Sequence, residues 1–265
     1  MDKKRIRVYC CEDSLEGILS AVHEAYYSRY GHKFIRISED DNMNLDLFCD
    51  YVDVATDYEK AESVATSIRK KISYQSWEVV MYSSLCRRQG KGQDIYRFLN
   101  YGFEIGGRVV DCLGEEHVRR VMYDRKTVSR ELDRMMGFTR FMELKDGSLL
   151  AKIGPKNNLV PLLAPHFADR FPEEKWAIVD VNRGMIAVHY PNLGWNLMKG
   201  EWNDSFLADM LSGEEKRMRQ CWQTFHDTIA IESRTNLKLQ QQMMPKYYRT
   251  YMTETFDNSS GYFTK

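Results

Sequence analysis

Hydrophobic positions along the chain change their period near its middle. The opening RIRVYCC reads as a strand, and Leu15, Ile18, Leu19, Val22 and Tyr26 then recur at helical spacing. Asp13, with Glu16 three residues on, has the form of a capping box that opens this helix. A strand over 51–55, a helix over 58–71 and helices near 75–88 and 93–106 follow, the last two separated by Gly90 and Gly92. Over 116–136, Val118, Val121, Met122, Val128, Leu132 and Met135 share one side of a strongly amphipathic helix.

After Gly137 the period becomes two. TRFMEL-KDG-SLLAKI and WAIVDV-NRG-MIAVHY each read as a hairpin closed by a glycine turn, and a short helix after Pro161 lies between them. Residues 191–213 read as loop. A last strong helix carries Met218, Cys221, Trp222, Phe225 and Ile229 on one face, expected to be core. Helices and strands are grouped rather than alternating. The pattern therefore predicts an α+β fold: a helix-rich single domain over 1–254, with a small antiparallel or mixed sheet built on the two hairpins. The N-terminal strands are candidates to join that sheet, and 255–265 is expected to be a flexible tail.

A chain of 265 residues with 43% hydrophobic and 12% aromatic content can bury a sizeable core. It has no apolar run near the ~18 residues that span a membrane, so no membrane association is expected. Its basic N-terminus is followed by no apolar signal core. The six cysteines show no C-x-x-C spacing, which fits free thiols in a reducing compartment, and a cytoplasmic protein is expected.

The 38 basic residues balance the 38 acidic ones, but unevenly. Residues 1–68 hold 14 acidic against 8 basic side chains, whereas 69–140 hold 15 basic against 9 acidic. Part of the basic excess sits on the 116–136 helix. There Arg119, Arg120, Lys126, Arg130 and Arg134 lie opposite the apolar stripe, with Glu116 and Glu131 on or beside the same sector. Such a stripe suits phosphate contacts, and equally suits a solvated face.

No P-loop, dinucleotide fingerprint, nucleophile elbow, HExxH or EF-hand loop is present, so no cofactor and no metal is expected. His166, in LAPHFADRF, and Asp180, at a strand end, are the candidates for acid–base chemistry. Arg183 follows Asp180 across the NRG turn, as a structural ion pair or a ligand contact. His189 and His226 are weaker, and no two histidines share the spacing of a metal-binding helix.

The stretch RTNLKLQQQMMPKYYRTYM, 234–252, contains no acid. Arg234, Lys238 and Lys246 supply charge; Tyr247 and Tyr248 supply stacking surfaces; Asn236 and Gln240 supply paired donors and acceptors for base edges. Its leucines and methionines suggest that it docks on the domain. Basic, aromatic and amide groups in one segment suit nucleic acid better than a membrane.

LLAPHFADRFPEEKWAIVD, the preceding GFTRFMEL, and the C-terminal QQQMMPKYYRTYM resemble a bacterial family of DNA-metabolism proteins built on a domain of unknown function, DUF4130. LEGILSAVHEAY and TDYEKAESV are similar as well, so the resemblance covers roughly residues 5–254. It departs from the family pattern at Asn157, where a histidine is common, and at Tyr247-Tyr248-Arg249, where Arg-Tyr-Trp is common.

The resemblance implies a gene typically found beside a radical-SAM protein similar to spore photoproduct lyases. It also implies related domains fused to uracil-DNA-glycosylase-like domains. It brings no catalytic residues. The expectation is a non-catalytic DNA-binding adaptor acting with a radical-SAM partner. The alternatives are a DNA-processing enzyme using His166 and Asp180, and a protein–protein scaffold docked through the acidic N-terminal third.

Overall fold

The computed structural model describes residues 5–39, 46–203, 205, 207–229, 231–234 and 236–253. The tail over 255–265 and the side chain of His226 lie outside them. The fold is α+β, as the pattern predicts. Its contacts divide into two compact units, 1–130 and 131–265.

The first unit begins with β1 (Ile6–Cys11), α1 (Leu15–Tyr27), β2 (Ile35–Ser38) and β3 (Cys49–Val54). These strands do not join the hairpins. They form their own three-stranded sheet, ordered β2-β1-β3, in which β1 pairs in parallel with both neighbours. Parallel neighbours need a crossover, which α1 provides between β1 and β2. Ser14, not Asp13, caps α1: its hydroxyl accepts from Gly17 N at 3.0 Å. Asp13 is turned to Lys91 instead.

Ile18, Leu19, Ala21, Val22 and Ala25 of α1 are buried against α2 (Tyr58–Lys71), α3 (Tyr74–Ser84) and the sheet. Each large side chain so buried contributes about 1.5–3 kcal/mol. Asp57 caps α2 by accepting from Glu59 N and Lys60 N, and Ser73 caps α3 by accepting from Ser76 N. α4 (Lys91–Ile105) starts after Gly90, whose φ of 77° suits glycine.

α5 (Glu116–Phe138) runs across the boundary between the units. Its expected apolar side is buried at Val118, Val121, Val128, Leu132 and Met135. The second unit continues with β4 (Phe141–Glu143), β5 (Leu149–Ile153), α6 (Val160–Arg170), β6 (Trp176–Asp180), β7 (Met185–Tyr190) and β8 (Gly194–Lys199). The five strands form one mixed sheet in sequence order: the two expected hairpins are antiparallel, and β5 and β6 pair in parallel across α6. Both turns carry glycine at positive φ, Gly147 at 79° and Gly184 at 60°.

β8 was not legible as a strand. It lies within the expected loop 191–213 and pairs antiparallel with β7 through a turn at Asn192 and Gly194, both at positive φ. It is an edge strand with mostly exposed side chains, so it carries no alternating apolar signal.

α7 (Leu207–Met210), α8 (Gly213–Ile229), α9 (Leu237–Met243) and α10 (Lys246–Arg249) complete the unit. The face of α8 expected in the core is instead exposed at Met218, Trp222, Phe225 and Ile229. Helical period establishes which residues share a face and leaves open whether anything covers it. Among the described residues, no helix is long and apolar enough to cross a membrane.

Candidate nucleic-acid interface

The outer face of α5 presents a row. Arg119, Lys126, Arg130 and Arg134 are exposed, and Tyr123, 67% exposed, stands among them at four-residue spacing from Arg119. From Arg119 to Arg134 the row is about 22 Å long at 1.5 Å per residue. Among the described residues, Lys126 and Arg130 make no hydrogen bond or ion pair. Arg119 donates to Leu113 O at 3.3 Å, and Arg134 approaches the Tyr248 hydroxyl. Arg120 stands off the row and is spent on Glu116, at 2.5 Å, and Asp94, at 3.6 Å.

Asp133 shares the exposed face, but Glu131 does not cancel its charge. The Glu131 carboxylate is buried and accepts from Lys156 N at 2.8 Å, Asn157 N at 2.9 Å and Asn157 Nδ2 at 2.6 Å. Tyr123 carries no charge and so does not show in the basic stripe; its four-residue offset from Arg119 is the sequence signal for it.

The C-terminal stretch separates into two kinds of residue. Arg234, Lys238, Gln240 and Lys246 are exposed. Asn236 is exposed too, but its side-chain oxygen caps α9, accepting from Leu239 N at 3.0 Å. Tyr248 is only 5% exposed, against Phe138 at 5.3 Å between ring centroids, so its ring is not free to stack on a base. Tyr247 is half-buried with Lys156 Nζ 4.6 Å above its ring, and Tyr251 holds Lys152 likewise at 5.6 Å. Burial pushes both the Tyr247 and the Tyr248 hydroxyl up.

The segment therefore docks through its tyrosines and Met252, while Leu239 and Met243, expected as contacts, are exposed. Tyr251 lies so close to Gly154 that a Cβ there would meet its ring at 2.8 Å.

The remaining candidates are structural in their surroundings. Arg183 donates to Pro155 O at 3.0 Å, to Lys156 O and to Asp180 Oδ2 at 3.0 Å, closing the second hairpin. Asp180 is fully buried and also accepts from Asn182 N at 2.9 Å; burial pushes its carboxyl up, against the pull of Arg183. His166 is half-buried and edge-on to Phe167. No hydrogen bond or ion pair joins it to Asp180 among the described residues, so the two do not form an acid–base pair. His189 is buried, stacked on Trp176, with Nδ1 at 2.8 Å from Glu174 O.

The first unit holds a buried charge network that the spacing of residues did not reveal. Arg88 grips Asp124 through Nε at 3.0 Å and NH2 at 2.6 Å, and its NH1 makes an ion pair with Asp94 at 2.9 Å. Lys91, itself buried, donates to Asp13 at 2.6 Å and Cys86 O at 2.5 Å. Glu39 accepts from Lys91 N and Gly92 N at the start of α4, where a Cβ on residue 92 would lie 2.7 Å from its carboxylate. Desolvation pushes the Glu39 carboxyl up. Arg88 is shared by Asp94 and Asp124, Lys91 pairs with Asp13, and Glu39 is met by main-chain N–H groups, which makes the network a folding device. Among the described residues, no cluster of three or more His, Cys, Asp or Glu could hold a metal ion.

No curated protein and no solved structure matches the chain. The family model described as domain of unknown function DUF4130 matches residues 89–254, from the loop before α4 to the docked C-terminal segment. That is more than half of the sequence, and the chain belongs to the DUF4130 family.

Proposed function

We propose that this DUF4130 protein is a non-catalytic DNA-binding accessory or adaptor in DNA repair or modification, acting with a radical-SAM partner enzyme. The observation that carries the DNA-binding part is the α5 row, in which four exposed cations share a face with one exposed tyrosine and the carboxylates of Asp133 and Glu116, the latter paired with Arg120. Guanidinium and ammonium groups without carboxylate partners can displace counterions from a phosphate backbone, and an exposed phenol can stack on an unpaired base. Exposed Arg234, Lys238 and Lys246 are the second source of phosphate contacts. The radical-SAM partner and the repair setting rest on the family resemblance.

Fluorescence anisotropy of labelled single- and double-stranded oligonucleotides tests this reading at low salt, with and without a radical-SAM protein encoded beside the gene. Binding that falls steeply with added salt is expected. No binding under either condition overturns the proposal.

A further inference from the structure

The first unit carries an open groove of 450 Å³ between α1 and α2, within the range of small-molecule sites. The two helices run side by side in the same direction. Ser20 Oγ donates to Asp57 O at 3.1 Å, and Lys60 Nζ donates to Glu24 at 2.7 Å. This pairing brings Tyr27 abreast of Ser63, and Ser67 and Lys71 follow one and two turns further along α2.

The walls differ in chemistry. On α1, His23 and Tyr27 form a flat stack, with ring centroids 4.3 Å apart and planes 24° from parallel. Tyr27 is 74% exposed, so the outer face of that stack is open. On α2, Ser63, Ser67 and Lys71 fall in one line at four-residue spacing and line the groove.

The polar groups of α2 are unspent. Among the described residues, neither serine hydroxyl nor the Lys71 ammonium has a hydrogen-bond or ion-pair partner. The Nδ1 of His23 makes no hydrogen bond and lies 4.0 Å from the Glu24 carboxylate, which Lys60 holds. Among the described residues, no carboxylate lines the groove. Phe103 and Tyr26 close its floor, and the Tyr26 hydroxyl is already held by Asn100.

We propose that the α1–α2 groove binds a nucleoside phosphate. The base lies against the His23–Tyr27 stack, and the phosphate is held by the Ser67 hydroxyl and the Lys71 ammonium. Ser63, beside the ring, meets the sugar or a base edge. Lys70 and Lys71 offset the partial negative charge of the C-terminal end of α2, so an anion can be held there. The same chemistry is offered by a free mononucleotide and by the 5′-phosphorylated end of a strand. None of the α5 residues lines this groove, so the proposal stands apart from the nucleic-acid reading.

Two-dimensional NMR of the ¹⁵N-labelled full chain, titrated with each free nucleoside monophosphate and with 5′-phosphorylated or unphosphorylated dinucleotides, tests it. Expected is saturable binding with Kd on the order of 0.1–1 mM, with shifts confined to α1 and α2. Tyr27→Ala and Lys71→Ala should each weaken it roughly tenfold while the remaining spectrum stays native. Tighter binding of the phosphorylated dinucleotide than of the monophosphates assigns the strand end; the reverse assigns the free nucleotide. Absence of shifts from any of these probes overturns the proposal. So does binding that both groove variants leave intact, or binding lost on Lys126→Glu/Arg130→Glu instead.

Discussion

Glu131 accepts three hydrogen bonds from two adjacent residues: both Asn157 donors, and the main-chain N–H of Lys156. Seen on a helical wheel, Glu131 belongs beside the cations of α5. In the fold it turns inward to satisfy the loop between β5 and α6, and the cations keep their charge. Asn157 is the buried partner of this carboxylate.

Removing that carboxylate should therefore cost stability. Glu131→Ala strands buried donors at Asn157 and Lys156, and a loss of about 3 kcal/mol or more is expected. Glu131→Gln, which keeps an acceptor, should cost less. Urea unfolding reports the difference as a shift in midpoint; a loss below about 1 kcal/mol for the alanine variant contradicts the assignment.

Arg88 should behave in the same way and for a related reason. Its loss leaves buried Asp124 without its cation and buried Asp94 with only Arg120, at 3.6 Å. Arg88→Met is expected to destabilise by about 3–5 kcal/mol, whereas Arg130→Ala should stay within about 0.5 kcal/mol. Thermal melts of the two variants provide the comparison, and equal melting points would count against the network.

If the α5 row contacts phosphates, each lost cation should lower the salt slope of DNA binding by about one. Lys126→Ala and Arg130→Ala should do so for every sequence tested. Tyr123→Ala should weaken single strands more than duplexes, by about 1–3 kcal/mol if it stacks on a base. Unaltered slopes would leave α5 as a solvated face.

His117 gives the fold a pH dependence of defined sign. Desolvation holds its pKa below the usual 6.5, and its Nε2 is buried without a partner. The folded state thus resists protonation where the unfolded chain accepts it. The stability that neutral His117 contributes is present above pH ~6.5 and is lost as the pH falls through that value toward the folded pKa. His117→Gln should flatten this part of the stability profile. An unchanged profile would assign the titration elsewhere.

The cysteines should label in an order set by burial and ionisation. Burial, with Glu39 nearby, pushes the Cys11 thiol from 9.0 up to about 12, and burial also raises Cys86. Cys221 is exposed. At pH 8, Cys11 should react roughly a thousandfold more slowly than an unperturbed thiol, because the thiolate is the nucleophile. Mass spectrometry after iodoacetamide should find Cys221 modified first, and early labelling of Cys11 would contradict the packing of β1.

The legible parts of this fold were those with a one-dimensional cause. α2 spans the expected 58–71, and both hairpins turn at their glycines. The buried side of α5 follows from period alone. β8 was illegible because an edge strand gains its stability from β7 and not from its own pattern. The C-terminal segment was read correctly as docked, but by the wrong residues. Tyr248 and Met252 hold it, and Leu239 and Met243 face outward. An apolar residue and an amphipathic tyrosine compete for the same surface, and only the shape of that surface decides between them.

By itself the sequence determined where helices and strands form, which residues share a face, and that 69–140 carries a basic excess. These depend on local backbone geometry and on counting. The tertiary structure decided which charges remain available. It spent Arg88, Arg120 and Arg183 on carboxylates, buried Glu131, and left Lys126 and Arg130 without partners among the described residues. It also set Tyr27 and Lys71 on two walls of one groove, though 43 positions separate them in the chain. Whether a charge is spent depends on groups distant in sequence that folding brings within a few ångströms, and no periodicity along the chain encodes that distance.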